Sequence, residues 1–179
     1  MFESLKAPAP DKIIELIGLF AADPRPDKLD LGIGVYKDAD GRTPVMRAVK
    51  DAERKLWEEQ DTKAYLGVLG DREFVGAMRD LVFGDALPAE RIGGAQTPGG
   101  TGAVHQLCEL VRRARPEAVA WVSNPTWPNH STILGHLGFE TRNYRYYDPA
   151  TGAVDFAAMQ ADLAEAKAGD LVVLHGCCH

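Results

Sequence analysis

The chain has 179 residues, of which 45% are hydrophobic and 26% charged, with a formal net charge of -6. These values are typical of a globular domain with its own core. They argue against a nucleic-acid partner, since no stripe of lysine and arginine is present to displace counterions, and no apolar run approaches the roughly 20 residues that span a bilayer.

The first predicted elements are an arm and a helix. Residues 1–10 contain two prolines and predict an extended arm. Residues 11–21 carry apolar side chains at helical spacing, with Asp11 as a plausible N-cap. Pro24 and Pro26 follow and end this helix.

A glycine-containing segment and two helices come next. Residues 29–36 alternate in polarity and include two glycines, which let another group approach the backbone. The sequence DADG at 38–41 predicts a turn. A helix is predicted from Pro44 to about Gln60, and another over 71–83.

From residue 92 the pattern alternates between strand and helix. We predict strands at 92–96, 118–123, 139–145 and 171–175, and helices at 101–113, 128–137 and 155–167. Such alternation predicts an α/β fold with a mostly parallel sheet and helices on both faces. The sequence given stops after a core strand with no helix to cover it, so we expect a truncated sheet.

The sequence TPGGTGA at 97–103 lies between a predicted strand and a predicted helix. Glycines expose backbone N–H groups, and the start of a helix adds partial positive charge, so Gly99, Gly100 and Thr101 are candidates to bind a phosphate. The segment is neither a Walker loop nor a GxGxxG fingerprint. A tight turn with Thr101 as N-cap explains it equally well.

The sequence SNPTWPNH at 123–130 follows a predicted strand, at the edge where open α/β sheets bind ligands. Prolines on both sides hold Trp127 stiffly, so its indole is able to stack on a flat ligand; packing in the core is the alternative and is favoured by composition. His130 is a candidate base or orienting group, although a single histidine is more often structural.

The sequence HGCCH at 175–179 also follows a strand. Adjacent cysteines cannot easily ligate one tetrahedral ion, and no second Cys/His pair occurs, so we predict no metal site. Three cysteines without disulfide spacing favour a reduced, cytoplasmic protein.

Two further segments combine glycine with tyrosine. Gly34 is able to admit a substrate carboxylate to backbone N–H groups, and Tyr65 is able to donate a hydrogen bond to a phosphate. A kinked strand and a tyrosine that covers a loop are the alternatives.

In this order, the motifs resemble the aspartate and aromatic amino-acid aminotransferases of class I, fold type I. The matching stretches are LGIGVYKD, TPV at 43–45, TKAYLG at 62–67, QTPGGTGA at 96–103, WVSNPTWPNH at 121–130, YYD at 146–148, and GD with LHGCCH within 169–179. Each motif alone is weak, but the ordered set is highly specific and covers nearly the whole chain.

The resemblance implies pyridoxal 5'-phosphate as cofactor and a role for each candidate. Gly100 and Thr101, with Gly99 beside them, would hold the phosphate, and Trp127 would stack on the pyridine ring. His130 would support the aspartate that pairs with the pyridine nitrogen, and His175 would lie beneath the cofactor. Gly34 would contact the substrate carboxylate, and Tyr65 would reach the phosphate of the neighbouring subunit in a homodimer.

The family's Schiff-base lysine, its pyridine-nitrogen aspartate and its substrate-binding arginines have no counterpart in these 179 residues, so we expect no catalytic residue here and no activity from this chain alone. The full-length parent is expected to transfer the amino group of aspartate or an aromatic amino acid to a 2-oxo acid such as 2-oxoglutarate. The alternative is a phosphate- or nucleotide-binding α/β domain without this chemistry. We assign residues 1–43 to the arm and part of a small domain, and 44–179 to a truncated large domain.

Overall fold

The computed structural model describes residue 3, residues 12–32 and residues 34–176. The predicted arm at 1–10 therefore lies almost wholly outside the described residues, and so do Asp11, Cys177, Cys178 and His179. The chain divides after Ala64 into two compact units. The division at residues 43 and 44 expected from the resemblance stays a prediction.

The first unit contains helix α1, Lys12–Ala22, and helix α2, Arg47–Glu59. After α1, the ammonium group of Lys28 donates hydrogen bonds to the carbonyl oxygens of Phe20 and Asp23 and lies 4.4 Å from the centre of the Phe20 ring. A cation at this position neutralises the carbonyl groups that a helix end leaves unpaired. Lys28 thus stabilises the C-terminal end of α1, which precedes the two prolines.

Of the predictions for this unit, the turn is confirmed and the start of α2 is corrected. The turn at 38–41 is confirmed, with Gly41 N donating to Asp38 O at 3.0 Å. Helix α2 begins at Arg47 and not at Pro44, because Met46 is still extended with ψ of 141°. Proline fixes φ at a value that suits both helical and extended chain, so it does not determine where a helix begins. The alternating segment near residues 29–36 forms no strand in its described part.

The second unit holds the remaining elements in alternating order. They are helix α3 (Arg72–Phe83), a 3-10 turn (Ala89–Arg91), α4 (Gly99–Ala114), β1 (Val119–Asn124), α5 (Pro128–His136), β2 (Glu140–Arg145), β3 (Tyr147–Asp148), β4 (Ala153–Val154), α6 (Phe156–Leu163) and β5 (Leu171–Val172). Asp71 caps α3 by accepting from Phe74 N at 2.8 Å, and Asp155 caps α6 by accepting from Ala158 N at 2.9 Å. Both are N-caps of a preferred residue type.

The sheet is parallel, as predicted, with strand order β2-β1-β5. Val119 pairs with Glu140 at the start of β1, and Trp121 pairs with Val172. A separate antiparallel hairpin joins β3 to β4. Because β1 is central, its apolar residues are buried on both faces, which is typical of a parallel strand covered by helices.

The core lies on β1 under two helices. Its buried members come from α4, β1, α5 and the segments beside them: Cys108, Ala118, Ala120, Val122, Ile133, Leu134 and Phe139. Burial raises the pKa of the Cys108 thiol, because the thiolate is poorly solvated there. This cysteine is a packing residue in the neutral form.

The start of β5 is tied to β1 by a carboxylate. Asp170 accepts from Lys167 N at 2.9 Å and Val119 N at 3.1 Å, and from Trp121 Nε1 at 3.1 Å. These hydrogen bonds, those from Lys167 and Val119 foremost, hold the pKa of Asp170 below its usual value. The interaction sets the register in which β5 runs towards His175.

Two predicted strands differ from the structure. Residues 92–96 form no strand, and β5 covers only residues 171 and 172 of the predicted 171–175. A strand requires a continuous run of paired neighbours, and the described residues show only isolated backbone hydrogen bonds to other segments here, from Gln96 N to Leu69 O and from Val173 N to Trp121 O, both at 2.9 Å. Their composition is that of a strand, but pairing decides the conformation.

Within the described part of the chain, no helix is both long enough and apolar enough to cross a membrane.

Candidate functional site

Three of the predicted site residues lie together at the carboxyl edge of the sheet. β1 ends at Asn124 and α5 begins at Pro128, so Trp127 and His130 lie directly beyond that strand. The ring centres of Trp127 and His130 are 5.2 Å apart, and those of His130 and His175 are 5.1 Å apart, both edge to face. The structure therefore joins two motifs that are distant in sequence into one cluster.

Two hydroxyl groups connect this cluster, and neither belongs to the predicted site residues. Thr126 Oγ1 lies 2.9 Å from His130 Nδ1 and 3.3 Å from His175 Nε2. Ser123 Oγ donates to Pro125 O at 2.7 Å and lies 3.5 Å from His175 Nε2. Both residues lie in the motif SNPTWPNH at the end of a predicted strand, and this location is the sequence feature that could have identified them.

The Thr126 hydroxyl is able to bridge the two imidazoles, because a hydroxyl donates one hydrogen bond and also accepts. It can accept from one ring and donate to the other, which couples their tautomers. His130 Nδ1 is thus held by a group of its own chain. The arrangement suits His130 to an orienting role.

The Trp127 indole is partly open. Its residue is 37% exposed, and Trp127 is the N-cap residue of α5 with extended backbone. The alternative of a fully packed core tryptophan is therefore wrong for this residue. An indole held at a helix start with an open face is suited to stacking on a flat ring.

The predicted phosphate loop forms the first turn of α4. Gly99 N donates to Thr97 O at 2.9 Å, and Gly99 has φ of +71°, a left-handed conformation that glycine adopts without strain. The helix begins at Gly99, so Thr101 lies inside the first turn and its alternative role as N-cap is wrong. The early N–H groups of an α-helix have no partner within the helix and attract anions.

Open space lies beside these glycines. A Cβ atom placed on Gly99 or Gly100 would have no neighbour within 4 Å. Both residues line a cleft of about 640 Å³, whose other wall includes side chains of α3 such as Phe74 and Met78. A ligand can thus reach the backbone of the loop.

The topology brings this loop to the same edge of the sheet as Trp127. Cys108 of α4 lies in the same buried cluster as Ala120 and Val122 of β1, and α4 ends at Ala114, shortly before β1 begins. The helix therefore runs antiparallel to the strand, and its N-terminus points towards the carboxyl edge. A helix of this length spans about 24 Å and β1 about 20 Å, so the two ends are nearly level.

Two predicted residues lie outside this cluster. Tyr65 is fully exposed, so its own chain does not cover its side chain. Gly34 belongs to the first unit, and a Cβ atom there would also meet nothing within 4 Å. Among the described residues, no group of three or more His, Cys, Asp and Glu side chains is arranged to hold a metal ion.

An open helix start and a partly exposed indole at the carboxyl edge of a parallel sheet lie where proteins of this α/β class bind their ligands. The comparisons identify the family: residues 26–179 match aminotransferase class I and II. The chain belongs to this family.

Individual relatives agree with this assignment. The chain is 53% identical over 179 residues to the aromatic-amino-acid aminotransferase of Paracoccus denitrificans and 48% identical over 182 residues to the aspartate aminotransferase of Salmonella typhi. The structure of the Burkholderia pseudomallei aromatic-amino-acid aminotransferase covalently bound to pyridoxal phosphate superposes with a TM-score of 0.90 at 38% identity.

Each of these matches spans the whole of this chain but less than half of the relative. The chain covers 45% of the Paracoccus protein's length and 46% of the lengths of the Salmonella and Burkholderia proteins.

Proposed function

We propose that the protein to which this chain belongs is a pyridoxal-phosphate-dependent aminotransferase. It transfers the amino group of aspartate, of an aromatic L-amino acid or of both to a 2-oxo acid such as 2-oxoglutarate. The observation that carries the proposal is the joining of Trp127, Thr126, His130 and His175 into one cluster of hydrogen bonds and ring contacts at the sheet edge. Relatives named for both substrate classes support it.

The residues present fit the cofactor. The Gly99–Gly100 backbone is open to a phosphate, and the α4 start favours its charge. Trp127 is 37% exposed, so part of its indole is accessible for stacking on a pyridine ring. When bound, the cofactor supplies an electron sink for the substrate's Cα carbanion.

The chain's own residues would bind and orient. Gly99, Gly100 and Thr101 hold the phosphate through N–H and hydroxyl groups, and Trp127 covers one face of the ring and excludes water from it. His130, whose Nδ1 contacts Thr126 Oγ1, would support the aspartate that pairs with the pyridine nitrogen. His175, three residues beyond the end of β5, supports the same hydrogen-bonded network.

Two residues would complete the site from elsewhere. Tyr65 donates to the phosphate of the neighbouring subunit in a homodimer, in keeping with its full exposure on its own chain. Gly34 offers its backbone to the substrate carboxylate. The proton-transferring lysine is provided by a segment outside these 179 residues. The cytoplasm remains the predicted location.

A chimera tests the proposal. This chain replaces the matching 45% of the Paracoccus denitrificans enzyme, whose remaining segment is kept. We expect the chimera to bind pyridoxal phosphate and to convert 2-oxoglutarate to glutamate with aspartate or phenylalanine as donor. The unaltered Paracoccus enzyme is the control.

The ratio of the two donors' kcat/KM values then measures the contribution of this chain to substrate preference. A folded chimera that binds the cofactor but forms no glutamate would contradict the proposal and favour a phosphate-binding domain without transaminase chemistry.

A further inference from the structure

Gln96 joins two loops that are distant in sequence. Its backbone N–H donates to Leu69 O at 2.9 Å, and its side-chain Oε1 accepts from Asp71 N at 2.9 Å. Leu69 and Asp71 end the loop that carries Tyr65, and Gln96 directly precedes the phosphate loop at 97–101. Gln96 therefore connects the loop that carries Tyr65 to the phosphate loop.

The fit between the loops is close. Gly70 lies between the two residues that Gln96 binds, with φ of +83°. A Cβ atom at Gly70 would overlap the Gln96 side chain, only 2.7 Å from Oε1. A short turn, with Gly70 N donating to Gly67 O at 2.8 Å, completes the loop. The Gln96 side chain therefore occupies space that a side chain at position 70 would need.

The rest of the loop projects away from its own chain. Tyr65 and Val68 are fully exposed, and Leu66 is more than half exposed. Their side chains therefore contribute little packing energy to the position of the loop. The direction in which Tyr65 points depends on the anchored end, where α3 begins with its Asp71 cap.

Resting on the proposed function, we infer that Gln96 is a positioning residue that acts through the Tyr65 of its own chain. It holds the loop at 65–70 so that the tyrosine hydroxyl reaches the cofactor phosphate of the neighbouring subunit. Gln96 thereby links the phosphate loop of one site to the tyrosine of the other.

The first test compares matched variants of the cofactor-loaded, full-length homodimer. Gln96→Met keeps the side-chain size and removes the acceptor, whereas Gln96→Glu keeps an acceptor that the α3 start favours. We expect Gln96→Met to speed pyridoxal phosphate dissociation about five- to tenfold, as for one lost hydrogen bond. Gln96→Glu should restore the original rate.

A double-mutant cycle with Tyr65→Phe separates positioning from a general structural effect. If Gln96 acts through the tyrosine, Gln96→Met has no further effect on cofactor dissociation once the hydroxyl is gone. Equal effects in both backgrounds would overturn the inference.

Hybrid dimers identify the direction of the effect. With Tyr65→Phe on one protomer and Gln96→Met on the other, we expect two weakened sites; with both changes on one protomer, only one. If Gln96 served the phosphate loop of its own chain, the two results would be exchanged, and the inference would be wrong.

Amide hydrogen exchange keeps this inference distinguishable from the proposed function. In the cofactor-free protein, Gln96→Met should accelerate exchange at residues 66–70, and unchanged exchange would show that Gln96 does not hold this loop. If the unaltered protein bound no pyridoxal phosphate, the proposed function would fail, while the exchange result would still show whether Gln96 holds the loop.

Discussion

At the scale of single residues, a hydroxyl group organises the candidate site. Thr126 lies between two imidazoles that come from different motifs, and it contacts both within hydrogen-bond distance. A side chain able both to donate and to accept is required there, because each imidazole nitrogen is fixed in one of these roles by its tautomer. Threonine at 126 meets this requirement.

Replacing Thr126 by valine tests this arrangement. The variant keeps the shape but removes the hydroxyl that contacts both His130 Nδ1 and His175 Nε2, so we expect the free energy of unfolding to fall by about 1–2 kcal/mol. Thr126→Ser keeps the hydroxyl and should lose much less. Urea unfolding of the full-length protein measures both variants, and equal stabilities would show that the bridge contributes nothing.

Gly100 provides the cleanest probe of the phosphate loop. A side chain there would enter open space, so Gly100→Leu should fold normally but block the approach of a phosphate to the backbone. We expect cofactor affinity to fall at least about tenfold, the equivalent of roughly 1.4 kcal/mol. Gly99 is less suitable, because its positive φ adds strain to any substitution.

The matched control is Gly135→Leu on α5, where a Cβ atom also meets nothing within 4 Å. This variant should retain cofactor affinity. Titration of the apo-protein with pyridoxal phosphate, followed by absorbance, measures both. Normal affinity in Gly100→Leu would remove the loop from the proposed site.

At the scale of elements, one ion pair ties α6 to the end of β2. Arg145 contacts both carboxylate oxygens of Asp162, with Nη2 to Oδ1 at 2.6 Å, and its backbone N–H donates to Oδ2 at 2.7 Å. The Arg145 guanidinium and this backbone hydrogen bond lower the pKa of Asp162 to about 2. A helix that covers a parallel strand is thus fixed at its C-terminal turn.

This pKa predicts a pH dependence of stability. A carboxyl group with a lowered folded-state pKa stabilises the protein above its unfolded value, near 4, and loses that contribution as the pH falls through about 2. We expect Asp162→Asn to reduce stability at pH 7 and to flatten the decline between about pH 4 and 2. Urea unfolding at several pH values measures this, with Asp85→Asn as the surface control. If the stability of Asp162→Asn fell as steeply with pH as that of the unaltered protein, Asp162 would not be the source of this pH dependence.

At the scale of the whole molecule, most of the residues proposed to bind the cofactor lie in one of the two units. The cluster around Trp127 and the open start of α4 both belong to the second unit. None of the eight lysines lies in the serine-lysine context expected of the family's catalytic lysine: Lys6, Lys12, Lys28, Lys37, Lys50, Lys55, Lys63 and Lys167. Binding and chemistry are therefore expected to come from different parts of the sequence.

The 179-residue chain by itself should show no transaminase activity. Without the proton-transferring lysine, bound cofactor has no group to move the proton on the substrate. The assay supplies pyridoxal phosphate, aspartate or phenylalanine and 2-oxoglutarate, and measures glutamate. Free pyridoxal phosphate is the background, and turnover well above it would show that the chain contains its own catalytic base.

The sequence by itself determined the α/β class, the parallel sheet and most helices, because these follow from local periodicity and from caps such as Asp71 and Asp155. The ordered motifs also indicated the family, which the comparisons confirm. Cofactor and substrate roles for the individual residues remain predictions.

Only the tertiary structure decided which segments meet. It left residues 92–96 without a strand partner, placed Thr126 between His130 and His175, and joined Gln96 to the loop before α3. Strand pairing and side-chain hydrogen bonds connect residues far apart in the chain, so no local pattern contains them. Their geometry exists only once the helices and strands have packed together.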